Sequence, residues 1–259
     1  PKFLVKDDGS IGERNEVHCL SLEEKLGIHA SPTAVMSYGE DKGAVGYLVG
    51  EENRGLMHMF TMMNNARHAV GREGLAISES AYQLALQYAM ERKQGNVIGT
   101  ATQATIVEHS DVKRMLMRMK ALTEAMRGLT YTCAYAFDVA ERATDEEECS
   151  RASRRGDLLT PVVKGWCTDN AQIVASLGVQ IHGGMGFVEE TGAAQYMRDA
   201  RILPIYEGTN GIQALDLMGR KTLRDGGQAV SELFEDMENT LSRLGQLDLT
   251  NIETAFRES

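Results

Sequence analysis

The sequence has 259 residues, 42% of them hydrophobic, and 27 Lys and Arg against 37 Asp and Glu give a formal net charge of −10. That length accommodates one large domain or two smaller ones with a packed core. The acidic balance argues against nucleic acid and anionic membranes as bulk partners, while leaving room for a local cluster of donors that binds a polyphosphate.

Residues 1–50 read as short strands. Phe3-Leu4-Val5 is followed by the turn Asp7-Asp8-Gly9-Ser10. Val17-His18-Cys19-Leu20 and Ala34-Val35-Met36 are further candidates, and Ala44-Val45-Gly46-Tyr47-Leu48-Val49 is the clearest. The period changes at residue 56. Residues 56–92 form a long helical stretch rich in Ala and Gly, with Leu75, Tyr82, Leu86 and Met90 on one apolar face. Met57, Met59, Met62 and Met63 read as adaptable core packing.

Residues 93–107 read as a loop. Ser110 is the expected N-cap of the next helix, with Asp111 in its first turn. Met115, Leu116, Met119, Leu122, Met126, Leu129 and Cys133 then recur at a spacing of three to four, the seam of a bundle helix that ends near residue 143. Residues 145–148 read as a solvated acidic connection, and Asp157 with Pro161 as the start of a third long helix that ends near residue 179. Thr191 is the expected cap of a short helix to residue 201. Residues 212–218 and 230–244 complete the helical set.

Four scattered cysteines (Cys19, Cys133, Cys149 and Cys167) show no metal-ligand spacing, so no metal is expected. Such usage fits reduced thiols in a cytoplasmic protein. No apolar run reaches membrane-spanning length, and no signal peptide is visible. The abrupt opening at Pro1 reads as a strand cut from a longer chain.

Chemistry concentrates in residues 176–217. A glycine turn, Gln180-Ile181-His182-Gly183-Gly184, follows an apolar helix, and Ile205-Tyr206-Glu207-Gly208-Thr209 comes about twenty residues later. Gly183 and Gly184 let backbone approach a ligand with no Cβ in the way. Glu207 sits in a loop where burial against an apolar ligand would raise its pKa and suit it as a general base. In this order the two pieces resemble the C-terminal signature of the acyl-CoA dehydrogenases.

The resemblance implies a mainly α fold: a C-terminal antiparallel four-helix-bundle domain at residues 56–259, preceded by part of the middle β-domain at residues 1–55. It implies FAD as cofactor and α,β-dehydrogenation of an acyl-CoA, with Glu207 removing the α-proton and hydride passing to flavin N5. Position 66, where a minority of the family places the base, is Ala66. Glu91-Arg92-Lys93-Gln94-Gly95 resembles the family's Glu-Arg-x-x-Phe-Gly signature, with the Phe missing. Arg92 is implied to reach the FAD diphosphate across a dimer interface. His109, Gln180, Gly183 and Gly184 are implied as contacts to the FAD of the partner subunit, Gln94 and Thr209 as further FAD contacts, and Asn64, Arg67 and Gly208 as substrate contacts. His182 interrupts the glycine turn where the family usually has an aliphatic residue.

The implied partners are an acyl-CoA substrate, an electron-transfer flavoprotein and a second copy in a homodimer or homotetramer. Lys164-Gly165-Trp166-Cys167 and residues 186–195 resemble a bacterial branch that includes 3-methylmercaptopropionyl-CoA dehydrogenase-like members. An acyl-CoA oxidase-like flavoprotein and an inactive helical assembly fragment are the alternatives.

Overall fold

A computed structural model describes residues 1–99, 101–247 and 249–258, without the side chains of Thr61 and Thr250. Thr100, one of the threonines of the expected loop, lies outside the described residues. The chain divides into two compact units, Pro1–Met63 and Asn64–Ser259.

The first unit holds two antiparallel ribbons. In one, β1 (Phe3–Val5) pairs with β2 (Ile11–Arg14). In the other, β3 (Val17–Leu22) pairs with β4 (Ala34–Tyr38), with Val17 opposite Tyr38 and a register shift between Cys19 and Ser21. Asn15, 4% exposed, ties this unit together. Its Nδ2 donates to the carbonyls of Pro1 and Val45, both at 2.8 Å, and its Oδ1 accepts from the Val45 N–H. That contact explains why residues 44–49, the clearest strand in the sequence, form no strand. The pattern is right, but the Asn15 amide takes both backbone groups of Val45 in place of a ladder.

The second unit is helical. It is built on α1 (Gly55–Glu91), α2 (Ser110–Arg142) and α3 (Glu146–His182), with α1 starting in the first unit. Contacts run in opposite order along α1 and α2 (Glu79 with Arg127, His68 with Thr130) and in the same order along α1 and α3, so the three run up, down and up. Glycines set the α1–α3 spacing: a Cβ on Gly74 would stand 2.9 Å from the Cys167 carbonyl oxygen. Leu75, Ala85 and Ala89 of α1, Met119, Met126 and Cys133 of α2, and Val163, Cys167 and Val174 of α3 form the main core. The core methionines are thus those of the α2 seam. Met57, Met59 and Met62 are exposed, contrary to the expectation of core packing.

Three expected boundaries move. Residues 145–148 are not a connection. Asp145 caps α3, its side chain accepting from the Glu148 N–H at 2.8 Å, and Glu146, Glu147 and Glu148 fill the first turn. Carboxylates there meet the positive end of the helix dipole. Pro161, expected near a helix start, lies buried inside α3. The expected loop at 93–107 contains a hairpin, β5 (Lys93–Asn96) with β6 (Gln103–Thr105), which turns through a 3-10 segment into α2. His109, not Ser110, occupies the N-cap of α2.

Short helices follow α3: α4 (Ala193–Ala200) and α5 (Asn210–Asp216), the latter continuing into a π-helical turn, Leu217–Thr222. Gly226 and Gly227, both at positive φ, lead into α6 (Gln228–Gln246), the fourth long helix, and α7 (Thr250–Arg257) follows. Arg154 and Arg155 of α3 pair with Glu232 and Asp236 of α6. No described helix is long and apolar enough to cross a membrane.

Candidate functional site

The first site lies where α1 ends, the hairpin begins and α3 ends. Arg92, Gln94, Gly95, His109, Gly183 and Gly184 line one cavity of about 630 Å³, together with Tyr88 and His182. Three stretches of chain supply these residues. Arg92 follows α1, and its backbone joins helix to hairpin: its N–H donates to the Tyr88 carbonyl, and its own carbonyl accepts from the Ile106 N–H. The His109 ring is fixed by a 2.8 Å bond between Nε2 and the Gln94 carbonyl. His182 is buried, hydrogen-bonded through Nδ1 to the Gly178 carbonyl and stacked on Tyr88 at a centroid distance of 4.4 Å. The ring that interrupts the glycine turn therefore helps to build the cavity wall.

Gly183 closes α3 at φ 59°, ψ −136°. That conformation belongs almost only to glycine. A Cβ at Gly183 or Gly184 would meet nothing within 4 Å, so both open onto free space. An exposed guanidinium beside bare glycine backbone suits the oxygens of a diphosphate. The cavity volume lies within the range of cofactor pockets, about 300–1,000 Å³. Gln180 is exposed one turn earlier on α3 and is not part of this lining.

The second site is the loop between α4 and α5. Glu207 is half-buried and takes φ 54°, a left-handed conformation that is uncommon for a side-chain-bearing residue, and Gly208 follows at φ 85°. Gln213 holds this pair, its Nε2 donating to the carbonyls of Glu207 at 3.3 Å and Gly208 at 3.1 Å. A Cβ on Gly208 would come within 2.9 Å of that nitrogen. Thr209 is the N-cap of α5, its hydroxyl accepting from the Ile212 N–H. The Tyr206 hydroxyl donates to the Glu73 carboxylate. Burial, then that carboxylate, push the phenol well above its ordinary pKa.

Buried charge lies beneath this loop. Arg67 and Asp216 pair at 2.6 Å with side chains 7% and 2% exposed, and Arg220 donates to the other Asp216 oxygen. Arg67 Nη2 would lie 3.7 Å from a Cβ on Gly208, so this pair abuts the loop. Arg67 Nε and Gln213 Oε1 are buried without a hydrogen-bond partner. Lys164 is fully buried and donates to Asn210 Oδ1 at 3.0 Å. Burial lowers its pKa to about 8. Asn64, one turn before Arg67, donates to Asp157 Oδ1 at 2.7 Å.

The fold therefore gathers five expected cofactor contacts into one cavity and sets Gly208, between Glu207 and Thr209, against Arg67. Lys164, Gln213, Asp216 and Tyr88 escaped sequence reasoning as site residues. Asp216 is 149 positions from Arg67, and no local pattern announces a pairing over that distance. Among the described residues, no group of three His, Cys, Asp or Glu side chains is placed to hold a metal.

Residues 53–222 match the family model described as acyl-CoA dehydrogenase, C-terminal domain. The chain is 54% identical over 250 residues to 3-methylmercaptopropionyl-CoA dehydrogenase of Ruegeria pomeroyi, covering 95% of this chain and 42% of that protein. It is 37% identical over 234 residues to a butyryl-CoA dehydrogenase of Syntrophomonas wolfei subsp. wolfei, covering 87% of the chain and 38% of the relative. A solved acyl-CoA dehydrogenase of Bacillus anthracis, complexed with FAD, superposes with a TM-score of 0.70 at 25% identity, covering 88% of this chain and 39% of that one. The chain thus spans about two-fifths of the length of these proteins.

Proposed function

The chain belongs to the acyl-CoA dehydrogenase family, and we propose that it forms the helical part of an FAD-dependent enzyme that introduces an α,β double bond into an acyl-CoA thioester. The observation that carries this reading is the shared cavity of Arg92, Gln94, His109, Gly183 and Gly184, assembled from three separate stretches. FAD, when bound, supplies the two-electron acceptor. Arg92, Gln94, His109, Gly183 and Gly184 would hold the diphosphate of the FAD carried by a second copy across the dimer interface, Arg92 offering a two-pronged guanidinium and the glycines an approach free of Cβ atoms. Gln180, one turn before Gly183, would add a contact to that same partner-held FAD, whereas Thr209, at the α5 cap, would contact the FAD beside Glu207.

Glu207 is the base. The left-handed turn at Glu207 and Gly208, its carbonyls held by Gln213, supports this reading by fixing the backbone from which the side chain departs, and positioning is what proton abstraction from a weakly acidic carbon requires. Gly208 admits the thioester to the loop backbone. Asn64 faces the CoA portion after exchanging its Asp157 bond, while Arg67, committed to Asp216, supports the loop from behind. An electron-transfer flavoprotein receives the electrons, and the working assembly is a homodimer or homotetramer.

The test is Glu207→Gln in the protein expressed from its full reading frame, assayed by dye reduction with butyryl-CoA and 3-methylmercaptopropionyl-CoA. Turnover should fall by at least about 10²–10⁴, with flavin absorbance retained. Preserved turnover removes Glu207 from the mechanism.

A further inference from the structure

A lysine with no exposed surface needs a reason to be there. Lys164 is 0% exposed, in the middle of a 37-residue helix, where an aliphatic residue would pack at no electrostatic cost. Its ammonium donates to Asn210 Oδ1 at 3.0 Å. Asn210 opens α5 three residues after Glu207, and its amide nitrogen donates to Asp169 Oδ1 at 2.7 Å and to the Gly165 carbonyl at 3.2 Å. The Asn210 backbone N–H donates to the Pro204 carbonyl and closes the loop on itself. Asn210 is therefore a staple between α3 and both ends of the Glu207 loop, and Lys164 holds it from below.

The charged groups facing Lys164 come from three elements: Asp169 of α3 itself, Arg67 of α1 and Glu207 of the loop. Asp169 and Glu207 favour its charge and Arg67 opposes it, with burial the largest influence of all. Asp216 in turn compensates Arg67.

We propose that Lys164 is a positioning residue for Glu207, acting through Asn210 and through its positive charge beside the loop. This rests on Glu207 being the base. A charge-assisted bond is about twice as strong as a neutral one, so the protonated ammonium grips Asn210 more firmly than the free amine. The proton is lost near pH 8, inside the working range of an assay. The loop is held tightly below that pH and less tightly above it.

The experiment is the pH profile of kcat with butyryl-CoA and dye reduction, in the flavin-loaded protein from its full reading frame, for wild type, Lys164→Met, Asn210→Ala and Glu207→Gln. Wild type should lose activity as pH rises through about 8, and Lys164→Met should lack that inflection. Asn210→Ala leaves the buried ammonium in place but removes its acceptor. It should lower kcat by about tenfold with KM within about twofold, because a misplaced base slows chemistry more than binding. If Lys164→Met does not fold, Asn210→Ala decides alone: wild-type kcat and an unchanged inflection overturn the proposal, as do superimposable profiles for wild type and Lys164→Met. Retained turnover in Glu207→Gln sinks the functional reading itself. Abolished turnover there, with no effect of Lys164 or Asn210, sinks only this inference.

Discussion

The two sites are built on opposite plans. The cavity at the ends of α1 and α3 is lined by an exposed arginine and by glycines that open onto free space. The Glu207 loop rests on Arg67, Asp216, Lys164 and Gln213, all buried, and two of their polar atoms have no partner. A surface meant to receive a large ligand can leave its donors in water until the ligand arrives. A surface meant to aim one carboxylate must hold its supports permanently, and it bears the desolvation of those charges in every state. Substitutions in the second region should therefore cost stability as well as chemistry, whereas those in the first should cost binding with little change in stability.

Asp216→Asn is the strongest way to break this contrast. It strands the buried Arg67 guanidinium, whose Nη1 lies 2.6 Å from Asp216 Oδ2, and also releases Arg220. Loss of one partner of a buried pair costs about 3–5 kcal/mol. Urea unfolding should show a correspondingly lower midpoint, and an unshifted midpoint would mean that the pair is dispensable.

Lys164→Met tests the same region through pH. The folded pKa of about 8 lies below the reference of 10.5. Between these values the unfolded chain holds a proton that the folded chain has released, so wild-type stability rises with pH across that window. Below about pH 8 the penalty is fully present. Relative to Lys164→Met, wild type should gain up to about 3 kcal/mol from pH 8 to 10.5, at about 1.4 kcal/mol per unit. A pH-independent gap between the two melting curves would contradict a buried, destabilised ammonium.

These supports explain what could be read from the residues alone. The seams of α1 and α2 were legible because Leu75 with Leu86, and Met115, Met119 and Met126, repeat at helical spacing. The first half of α3 was not. Its acidic start resembles a solvated connection until Asp145 is seen capping Glu148, and Pro161 is tolerated inside the helix, buried in the bundle. The β5–β6 hairpin is too short, at four and three residues, to show alternation. Residues 44–49 show the converse, a strand pattern without a ladder. The cavity residues were nameable because each stretch carries its own motif. Arg67 was named, as a substrate contact, but its pairing with Asp216 and the burial of Lys164 beside it were hidden, because the three come from distant helices. Nor does any residue type in Tyr206-Glu207-Gly208 announce that Glu207 itself is left-handed.

Gly183→Ala lies between the two regimes. At φ 59° and ψ −136° an alanine is strained by about 1–3 kcal/mol. Its methyl meets no atom of the protein, so the stability loss is conformational, with no clash behind it. The same methyl would project into the cavity and should weaken flavin retention. Thermal melting and flavin titration together separate these effects. A variant as stable as wild type would show that the turn relaxes, and one with unchanged flavin affinity would show that the ligand does not pass close to this backbone.

Arg92→Ala is expected to change stability least and therefore sharpens the contrast most. Arg92 is exposed, and the joint between α1 and the hairpin uses its backbone N–H and carbonyl, which alanine keeps. Unfolding free energies should stay within about 0.5 kcal/mol of wild type, as for most exposed sites. Flavin affinity should fall by about 1.5–3 kcal/mol, the usual worth of a hydrogen bond to a charged group, and the loss should shrink in high salt, which screens an exposed cation. Arg92→Lys should recover only part of it, because a point charge cannot reproduce a two-pronged grip on phosphate oxygens. A marked stability loss in Arg92→Ala would place the guanidinium among the supports of the fold and erase the distinction between a site that waits for its ligand and a site that is always held.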